Sequence, residues 1–518
     1  MTLLATVVET SRRVGETSAR LAKVRALAGC LRELSPDEVE IGAHYLSGET
    51  PQGRSGIGYA ALAAARGQPA ATSATLSLAE TDRDLQRLAE LRGAGVAARR
   101  AEGLAQLFSR ATEAEQDFLV RLLAGELRQG ALAGVMLDAI TAAAELPAAE
   151  VRRAAMYAPD LGAVAAAALQ EGSAGLARFQ LQVLSPVAPM LAQTAADTGE
   201  ALQQWADGSA PVEVAFEWKI DGARIQAHRQ DDLVRIYTRS LNDVSAAVPE
   251  IVEAVRRLPA RDLVLDGEAV ALKASGRPHP FQVTMRRFSR KLDVEALRAE
   301  LPMAAFFFDC LRLEGESLAE RPARERFAAL ARVVPDELRM PQLITSSDLQ
   351  AQAFQAAALA AGHEGVMAKS LDAPYEAGSR GSSWLKIKRA HTLDLVVLGA
   401  EWGHGRRSGK LSNLHLGALD PATGQHVMLG KTFKGLTDAM LEWQTQAFLA
   451  RETHREGITV FIRPELVVEV AFSDLQVSPR YPGGLALRLA RVKRYREDKR
   501  PDEADTMDAV RRLAASQI

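Results

Sequence analysis

The sequence contains only two cysteines, Cys30 and Cys310, among its 518 residues. Two thiols cannot build a disulfide framework or a four-thiolate zinc site, and unpaired cysteines suit a reducing, cytoplasmic compartment. The scarcity of cysteine therefore excludes the small disulfide-stabilised proteins and the cysteine-based zinc modules. We expect any bound metal to use oxygen ligands.

The chain also lacks an excess of charge of one sign and a long apolar run. Its 63 basic and 65 acidic residues leave a net charge of −2, so a nucleic-acid surface must come from local clusters of Lys and Arg. The longest run of small residues, 162–169, is far shorter than the roughly 20 apolar residues that span a membrane. We expect a soluble, cytoplasmic protein that does not contact membranes.

The length exceeds what one hydrophobic core can serve. Single cores stop growing at roughly 250–300 residues, and a prior of about 150 residues per domain gives three or four domains. Apolar residues make up 47% and charged residues 25%, which is typical of folded globular proteins. The chain is predicted to fold into several domains.

Local composition changes twice along the chain. The first part is rich in Ala, Leu, Arg and Glu, with apolar residues three or four apart, which predicts a helical domain. Its segments 47–53 and 172–175, with Gly and other turn residues, are predicted to break helices. The polar stretch 198–211, which includes Asp207-Gly208-Ser209-Ala210-Pro211, ends the helical pattern. The predicted domain bounds are 1–200, 205–390 and 391–518.

Short runs rich in Val, Ile and Phe predict strands in the remaining two domains. In the middle domain they alternate with helical stretches such as 248–258, so an α+β domain is expected. After Lys388, strands separated by Gly-rich turns predict a small β-barrel of about 120 residues. The predicted strands are 212–217, 223–229, 233–238, 263–265, 304–309, 395–401, 414–419, 459–462 and 466–472.

The segment Lys219-Ile220-Asp221-Gly222-Ala223-Arg224 has the pattern of a phosphate-directed lysine. Lys219 is predicted to leave a strand end, with Gly222 permitting a tight turn beside it. A free lysine is neutral in only about one molecule in 10³ near pH 7, so a nucleophilic lysine needs desolvation or nearby positive charge. Arg224, Lys386, Lys388 and a divalent cation are candidates for that charge. A surface lysine in a turn is the alternative.

Further charged and aromatic residues follow the lysine in order. Arg239 ends a predicted strand, Glu268 follows a buried one, and Phe308 lies in an apolar run. In Trp384-Leu385-Lys386-Ile387-Lys388 the alternation directs both lysines from one strand face. Taken singly, Arg239 also fits a solvated arginine at a strand end, Glu268 a hairpin turn and Phe308 a core strand. The two lysines also fit a charged strand face.

Together the KxDGxR segment, the later Glu364-Gly365-Val366-Met367-Ala368-Lys369 and the residues between them resemble the signatures of the covalent nucleotidyltransferases. This superfamily comprises the ATP-dependent DNA ligases and the mRNA capping enzymes. The resemblance implies that Lys219 is the catalytic nucleophile, that Phe308 stacks on adenine, and that Glu268 and Glu364 hold Mg²⁺ or Mn²⁺. The implied contacts of ATP or AMP are Glu217, Arg224, Arg239, Glu268, Phe308, Arg380, Lys386 and Lys388.

The segment 488–500 is strongly basic, and Arg496-Glu497-Asp498-Lys499 resembles the signature of the family's C-terminal OB-fold domain. The resemblance implies that Arg496, Asp498 and Lys499 orient the departing pyrophosphate before this domain rotates away. Leu489-Ala490 departs from the family pattern, which has an aromatic residue and a proline there. A non-specific basic tail is the alternative.

Two segments of the first domain, 123–130 and 186–192, are similar to parts of the helical DNA-binding domain of ATP-dependent DNA ligases. Ordinary helix ends are the alternative for both. The resemblance as a whole implies a multidomain fold: an all-α DNA-binding domain, an α+β adenylation domain and a C-terminal OB-fold β-barrel. It implies a monomer that seals nicks in double-stranded DNA.

In the implied reaction Lys219 attacks the α-phosphate of ATP, AMP passes to a DNA 5′-phosphate, and the adjacent 3′-hydroxyl displaces AMP. Such sealing serves DNA replication, repair and recombination. NAD-dependent DNA ligases carry a cysteine zinc module that this chain cannot build, and capping enzymes usually lack a long segment before the lysine. A non-catalytic DNA clamp would be expected to have lost Lys219 or a motif carboxylate, and all are present.

Overall fold

The computed structural model describes residues 1–53, 56–127, 129, 133–206, 208, 211–289, 294–388 and 391–517. Two predicted segments therefore lie partly outside the described residues: the polar stretch at Asp207, Ser209 and Ala210, and segment 123–130 at Arg128 and Gly130. The chain forms two units. The first contains Met1–Met190, Arg312–Ala319 and Glu376–Ser379, and the second contains Leu191–Leu311, Glu320–Tyr375 and Arg380–Ile518.

The first unit is helical, as the apolar periodicity predicted. Fully buried side chains such as Leu27, Phe108 and Ile140 form its core, and capping boxes begin two of its helices at Ser77 and Thr112. Its helices are α1 Leu4–Glu16, α2 Arg20–Glu33, α3 Val39–Ser47, α4 Tyr59–Arg66, α5 Leu78–Glu90, α6 Val96–Ser109, α7 Glu113–Leu123, α8 Ala133–Ala144, α9 Ala148–Tyr157 and α10 Leu161–Ala177.

The two predicted helix breaks have different outcomes. At 47–53, α3 ends and Gly48 adopts a φ of +85°, a left-handed conformation that favours glycine. At 172–175 the helical geometry is interrupted as predicted, but by a kink within α10 and not by a separate loop. Gly172 leaves helical geometry, with φ 62° and ψ −144°. This glycine therefore kinks α10, because its backbone angles are far from those of a helix.

The part of the second unit that precedes residue 391 consists of strands with helices packed against them. Its elements are β1 Gln193–Thr194, α11 Thr198–Gln203, β2 Val214–Lys219, β3 Ala223–Gln230, β4 Leu233–Thr238, α12 Pro249–Arg256, β5 Asp262–Ala271, α13 Phe281–Ser289, α14 Val294–Glu300, β6 Met303–Leu313, α15 Ala323–Val333, β8 Gln342–Thr345, α16 Asp348–Ala360, β9 Gly365–Ser370 and β10 Trp384–Lys388. A short strand of the first unit, β7 Glu316–Ser317, pairs with Arg312 and Leu313 at the end of β6.

Two sheets bring the motif residues together. One has the strand order β1-β10-β9-β2-β8, and the other contains β4-β3-β5-β6 in that order. In the first sheet Lys219 and Lys388 both lie opposite Gly365 of the central strand β9. In the second, Arg224 of β3 lies directly opposite Glu268 of β5. The pairing register therefore aligns residues that are far apart in sequence.

Strand β5 differs from the prediction, which ended it at Leu265. It continues to Ala271, so Glu268 lies within a strand and not after one. The Asp-Gly pair suggested a turn, but Gly267 serves close packing instead. A Cβ there would lie 2.7 Å from Cδ1 of Phe307 on the neighbouring strand. The glycine leaves room for Phe307 of β6 beside it, and β5 continues beyond the glycine.

The C-terminal domain is mostly sheet, as predicted. Its strands are β11 His391–Trp402, β12 Leu411–Leu419, β13 His426–Thr432, β14 Glu452–Glu456, β15 Thr459–Ile462, β16 Val467–Phe472, β17 Asp474–Val477, β18 Leu485–Arg488 and β19 Arg491–Tyr495, and its helices are α17 Asp438–Leu449 and α18 Met507–Gln517. The strands are ordered β13-β12-β11-β15-β14, β16 pairs with β11 and β19, and β17 pairs with β18. Of the helices described, none is long and apolar enough to cross a membrane.

Candidate active site

Lys219, the last residue of β2, shares a carboxylate with a second lysine. Its Nζ lies 2.5 Å from Oε2 of Glu364, and Nζ of Lys388 lies 2.6 Å from the same oxygen. Both lysines reach Glu364 because they flank Gly365 in adjacent strands. The side chains of Lys219, Glu364 and Lys388 are 20%, 17% and 25% exposed, so a ligand can reach them. We call these three residues the lysine cluster.

The charge of Lys219 differs from the sequence-based expectation. Burial lowers the pKa of its ammonium group, but Glu364 raises it, with further contributions from Glu268 and Asp221, and the net shift is upward. This net direction is opposite to the lowered pKa that a nucleophilic lysine needs. The carboxylates outweigh burial and keep the lysine protonated. The amine can act as a nucleophile only after its pairing with Glu364 is weakened.

Two cations beside Lys219 have the opposite shift. Burial lowers the pKa of Lys386, and the charges of Arg380 and Lys388 lower it further. Burial also lowers the pKa of Lys388, followed by the charge of Lys219, although Glu364 opposes both effects. Four cations therefore repel one another in one pocket: Lys219, Lys386, Lys388 and the exposed Arg380. A polyanion bound among them would relieve that repulsion.

Glu268 is half-buried within β5 near the lysine cluster. Burial raises its pKa to about 7, although the charges of Lys219 and Arg224 act in the opposite direction. Its carboxylate has therefore lost hydration without receiving full compensation for its charge. Glu268 and Glu364 offer the oxygen atoms that Mg²⁺ prefers, and the incompletely compensated Glu268 fits a divalent cation.

Arg224 is held by a partner that the sequence analysis did not assign. Its Nε and Nη2 donate to the two carboxylate oxygens of Asp266 at 2.6 and 2.5 Å. The hydroxyl group of Tyr375 donates to the same carboxylate at 2.6 Å. Asp266 stands in the quoted Leu265-Asp266-Gly267-Glu268 segment, but only the pairing of β3 with β5 shows that it orients Arg224.

Glu217 and Phe308 are joined through a buried lysine. Nζ of Lys369 lies 2.5 Å from Oε2 of Glu217 and 4.2 Å from the ring centroid of Phe308. Gln342 donates to the other oxygen of Glu217 at 2.9 Å, and Trp384 meets Phe308 edge-on at 5.9 Å. Sequence reasoning included Lys369 only as the end of a motif, because its partners lie on other strands.

Close strand packing explains the glycines beside the cluster. A Cβ at Gly222 would clash with the carbonyl oxygen of Ala269, and one at Gly365 would clash with that of Ile387. Gly222 thus allows β3 and β5 to approach, which differs from the tight turn predicted for it. Gly365 has a φ of +142° as well, so a side chain there would also strain the backbone.

The C-terminal domain contributes Arg488 to this region. Its Nη1 lies 2.6 Å from Oδ2 of Asp221, and its guanidinium group lies 4.5 Å from the ring centroid of Phe281. Gln282 also donates to Gln476 of the C-terminal domain at 2.9 Å. In the sequence, Arg488 is recognisable only as part of a basic segment. Its pairing with Asp221, two residues after Lys219, could not be read from the chain alone.

Four predicted site residues lie elsewhere in the second unit. Arg496 pairs with Asp498 and with Asp394, at 2.6 and 2.7 Å, and Lys499 pairs with Asp394 at 2.6 Å. Arg239 is exposed in the turn after β4. As far as the chain is described, none of these four residues contacts the lysine cluster.

Comparison with known proteins gives matches along most of the chain. Residues 189–388 match the ATP dependent DNA ligase domain, residues 407–499 match the ATP dependent DNA ligase C terminal region, and residues 56–141 match the DNA ligase N terminus. Among solved structures, Pmar-Lig has a TM-score of 0.62 at 18% identity, covering 95% of this chain and 99% of that chain, which shows a shared fold.

Two curated relatives are each called a probable DNA ligase. The protein of Anaeromyxobacter sp. (strain Fw109-5) is 60% identical over 517 residues, covering 99% of this chain and 98% of the relative. The protein of Mycobacterium bovis (strain BCG / Tokyo 172) is 55% identical over 514 residues, covering 99% of this chain and 100% of the relative. The chain therefore belongs to the family of ATP-dependent DNA ligases.

Proposed function

We propose that this ligase seals nicks in duplex DNA through an AMP group carried covalently on Lys219. The observation that carries the proposal is the lysine cluster, in which Lys219 and Lys388 share one carboxylate oxygen of Glu364. A primary amine, cations suited to phosphates and oxygen donors suited to a divalent ion thus share one pocket. Phosphoryl transfer depends on this combination of positioning and charge stabilisation.

In the first proposed step, Nζ of Lys219 attacks the α-phosphorus of ATP, a phosphorus–nitrogen bond forms, and pyrophosphate leaves with the electrons of the broken bond. The ammonium group must first lose a proton, so its pairing with Glu364 has to weaken. Glu268 and Glu364 would hold Mg²⁺ or Mn²⁺, which would neutralise phosphate charge. Lys386 and Lys388 are proposed to neutralise charge on the α-phosphate as it develops.

The second and third proposed steps use the same pocket. The DNA 5′-phosphate displaces the lysine and takes AMP, and the 3′-hydroxyl then attacks that phosphate and expels AMP. Phe308 is proposed to stack on adenine. The other proposed nucleotide contacts are Glu217, Arg224, Arg239, Glu268, Arg380, Lys386 and Lys388. For Arg496, Asp498 and Lys499 we propose orientation of pyrophosphate, which requires that Arg496 and Lys499 leave Asp394.

The proposal extends to the arrangement of domains. We propose bounds of 1–200 for a helical DNA-binding domain, 205–390 for the adenylation domain and 391–518 for an OB-fold barrel. The three matched regions support this division, and β11 supports a barrel by pairing with β12, β15 and β16. We further propose a cytoplasmic monomer that acts in DNA replication, repair and recombination.

The experiment follows a label from nucleotide to DNA. The protein is incubated with α-labelled ATP and Mg²⁺, the labelled peptide is mapped, and nicked duplex DNA is then added. We expect label on Lys219 that passes to DNA, none in Lys219→Arg, and normal labelling in the exposed control Lys434→Arg. Label elsewhere would refute the assignment. Labelling by GTP that moves to a 5′-diphosphate RNA end would establish the capping alternative.

A further inference from the structure

Three side chains of the first unit that the ligation chemistry does not use converge at one point. Glu40 and His44 lie one turn apart on α3 and therefore share a helix face, and Asp160 immediately precedes α10. One potential ligand atom of each residue lies within 4.8 Å of those of the other two. Nε2 of His44 is 3.2 Å from Oδ1 of Asp160. The fold thus brings together residues more than a hundred positions apart.

The helix that faces this cluster has a glycine where any side chain would intrude. A Cβ at Gly162 would lie 2.6 Å from Cδ2 of His44 and 2.9 Å from Cγ of Glu40. The glycine leaves room for both side chains as α10 passes α3. The His44 side chain is only 8% exposed, so packing fixes its imidazole, whereas Glu40 is exposed and leaves a route from solvent.

The cluster carries two carboxylates without a compensating lysine or arginine. Within the described ranges, neither Glu40 nor Asp160 forms an ion pair with a Lys or Arg, and the imidazole of His44 is the side-chain neighbour of Asp160. Oδ1 of Asp160 already caps α10 by accepting from the backbone N–H of Ala163 at 2.8 Å. Its Oδ2 can bind a cation without loss of the cap. Uncompensated negative charge beside a fixed imidazole favours a bound cation.

We infer that Glu40, His44 and Asp160 form a binding site for a divalent first-row transition-metal ion, best filled by Zn²⁺, that links α3 to α10. One imidazole nitrogen and two carboxylate oxygens suit such an ion, whereas Mg²⁺ and Ca²⁺ prefer oxygen alone. Three protein ligands leave a further position for water. This site would add an imidazole nitrogen to the oxygen ligands that the scarcity of cysteine led us to expect.

Metal binding at this site is expected to stabilise the helical unit, because the ligands come together only when α3 and α10 are packed. A ligand that binds the folded state alone stabilises it by mass action. The test therefore measures metal affinity and thermal unfolding of the full-length protein after removal of metals by chelation. Glu268→Gln and Glu364→Gln are introduced together as background, so that ions bound at the ligation site do not contribute.

In this background Zn²⁺ is titrated by calorimetry, and Tm is followed with Zn²⁺ or Mg²⁺. We expect one Zn²⁺ per chain and a Tm rise of roughly 5 °C or more at about 100 times Kd. Mg²⁺ at the same concentration is expected to leave Tm unchanged. Co²⁺ should give visible absorption that Zn²⁺ abolishes, which reports nitrogen ligation independently of stability.

Ligand substitutions identify the residues. Glu40→Gln changes an exposed residue and is expected to preserve the fold while weakening Zn²⁺ binding at least about tenfold, and His44→Gln should remove binding and the Co²⁺ absorption. Glu102→Gln, another exposed glutamate of the first unit, is the charge-matched control and should bind as the background does. Absence of stoichiometric Zn²⁺ binding would overturn the inference, and so would equal Zn²⁺ affinity in Glu40→Gln and in the background. Asp160 would then be only a helix cap that contacts His44.

Discussion

Arg488 of the C-terminal domain and Asp221 of the KxDGxR segment form an ion pair of 2.6 Å two residues from Lys219. Burial lowers the pKa of Arg488, but Asp221 raises it, with help from Glu364 and Asp474, and the net shift is upward. The arginine also covers the ring of Phe281. This contact therefore couples the position of the C-terminal domain to the charge around the lysine.

Replacing Arg488 by Gln should slow sealing, because it removes the ion pair that joins the C-terminal domain to Asp221. A hydrogen bond to a charged group typically contributes about 1.5–3 kcal/mol, so we expect roughly a tenfold or greater decrease in single-turnover sealing of nicked DNA. The exposed Arg491→Gln is the control. Asp221→Asn combined with Arg488→Gln should be no slower than the more defective single variant. Additive losses would show that the ion pair is not the coupling element.

Glu364→Gln should change the pH dependence of lysine adenylation in a defined direction. Glu364 is the strongest of the groups that raise the pKa of Lys219. Without this carboxylate the lysine loses its proton at lower pH, so the acidic limb of the rate profile should move to lower pH. The plateau should fall because a proposed metal ligand is lost. Single-turnover labelling from pH 6 to 9.5 checks both effects, and an unmoved limb would contradict the assigned pairing.

Glu268 should make the metal-free protein less stable as pH rises. Burial raises its folded-state pKa to about 7 from an ordinary value of 4.5. The folded state therefore binds a proton more tightly than the unfolded state, and stability falls as pH rises from 4.5 towards 7. Glu268→Gln should reduce this fall in Tm, and Mg²⁺ should raise the wild-type Tm most at pH 8. An identical pH dependence in both proteins would exclude this role.

The ion pair of Glu217 with Lys369 should be unusually sensitive to removal of one partner. Both side chains are at most 2% exposed, so Lys369→Met leaves an uncompensated buried carboxylate. Breaking such a pair costs about 3–5 kcal/mol, whereas replacing both charges is often close to neutral. We expect a large drop in Tm for Lys369→Met and substantial recovery in the double variant Glu217→Gln/Lys369→Met. No recovery would show that Lys369 stabilises the fold mainly through its aromatic contacts.

Sequence patterns predicted which residues belong to the site better than which of them contact one another. The alternation of apolar residues with Lys386 and Lys388 correctly indicated that Leu385 and Ile387 are buried in β10. The ends of β15 were also predicted correctly. The pairing register of β2, β9 and β10, which makes Lys219 and Lys388 share Glu364, depends on long-range packing. Local pattern carries no information about such pairing. For the same reason, Asp266 and Arg488 became recognisable only in the folded chain.

The remaining prediction concerns the basic motif and Asp394. The Asp394 side chain is 11% exposed, and its Oδ2 accepts from both Arg496 and Lys499. Asp394→Asn removes the one charge that pairs with Lys499 here and one of the two that pair with Arg496, so both cations should bind phosphate more readily. Because the Lys499 side chain is 32% exposed, solvent screens its pair with Asp394 to about 0.2–1 kcal/mol, and we expect the ATP concentration for half-maximal labelling of Lys219 to fall by up to about fivefold.

Asp508→Asn removes an exposed acidic partner of Arg511 in the same domain and serves as the matched control. It should leave the ATP dependence unchanged, and Arg496→Gln added to Asp394→Asn should reverse the gain. This reversal separates release of the basic motif from a general change in charge. If Asp394→Asn labels with unchanged ATP dependence while remaining folded, Asp394 does not restrain the motif, and the cations reach pyrophosphate by another route or have no part in that step.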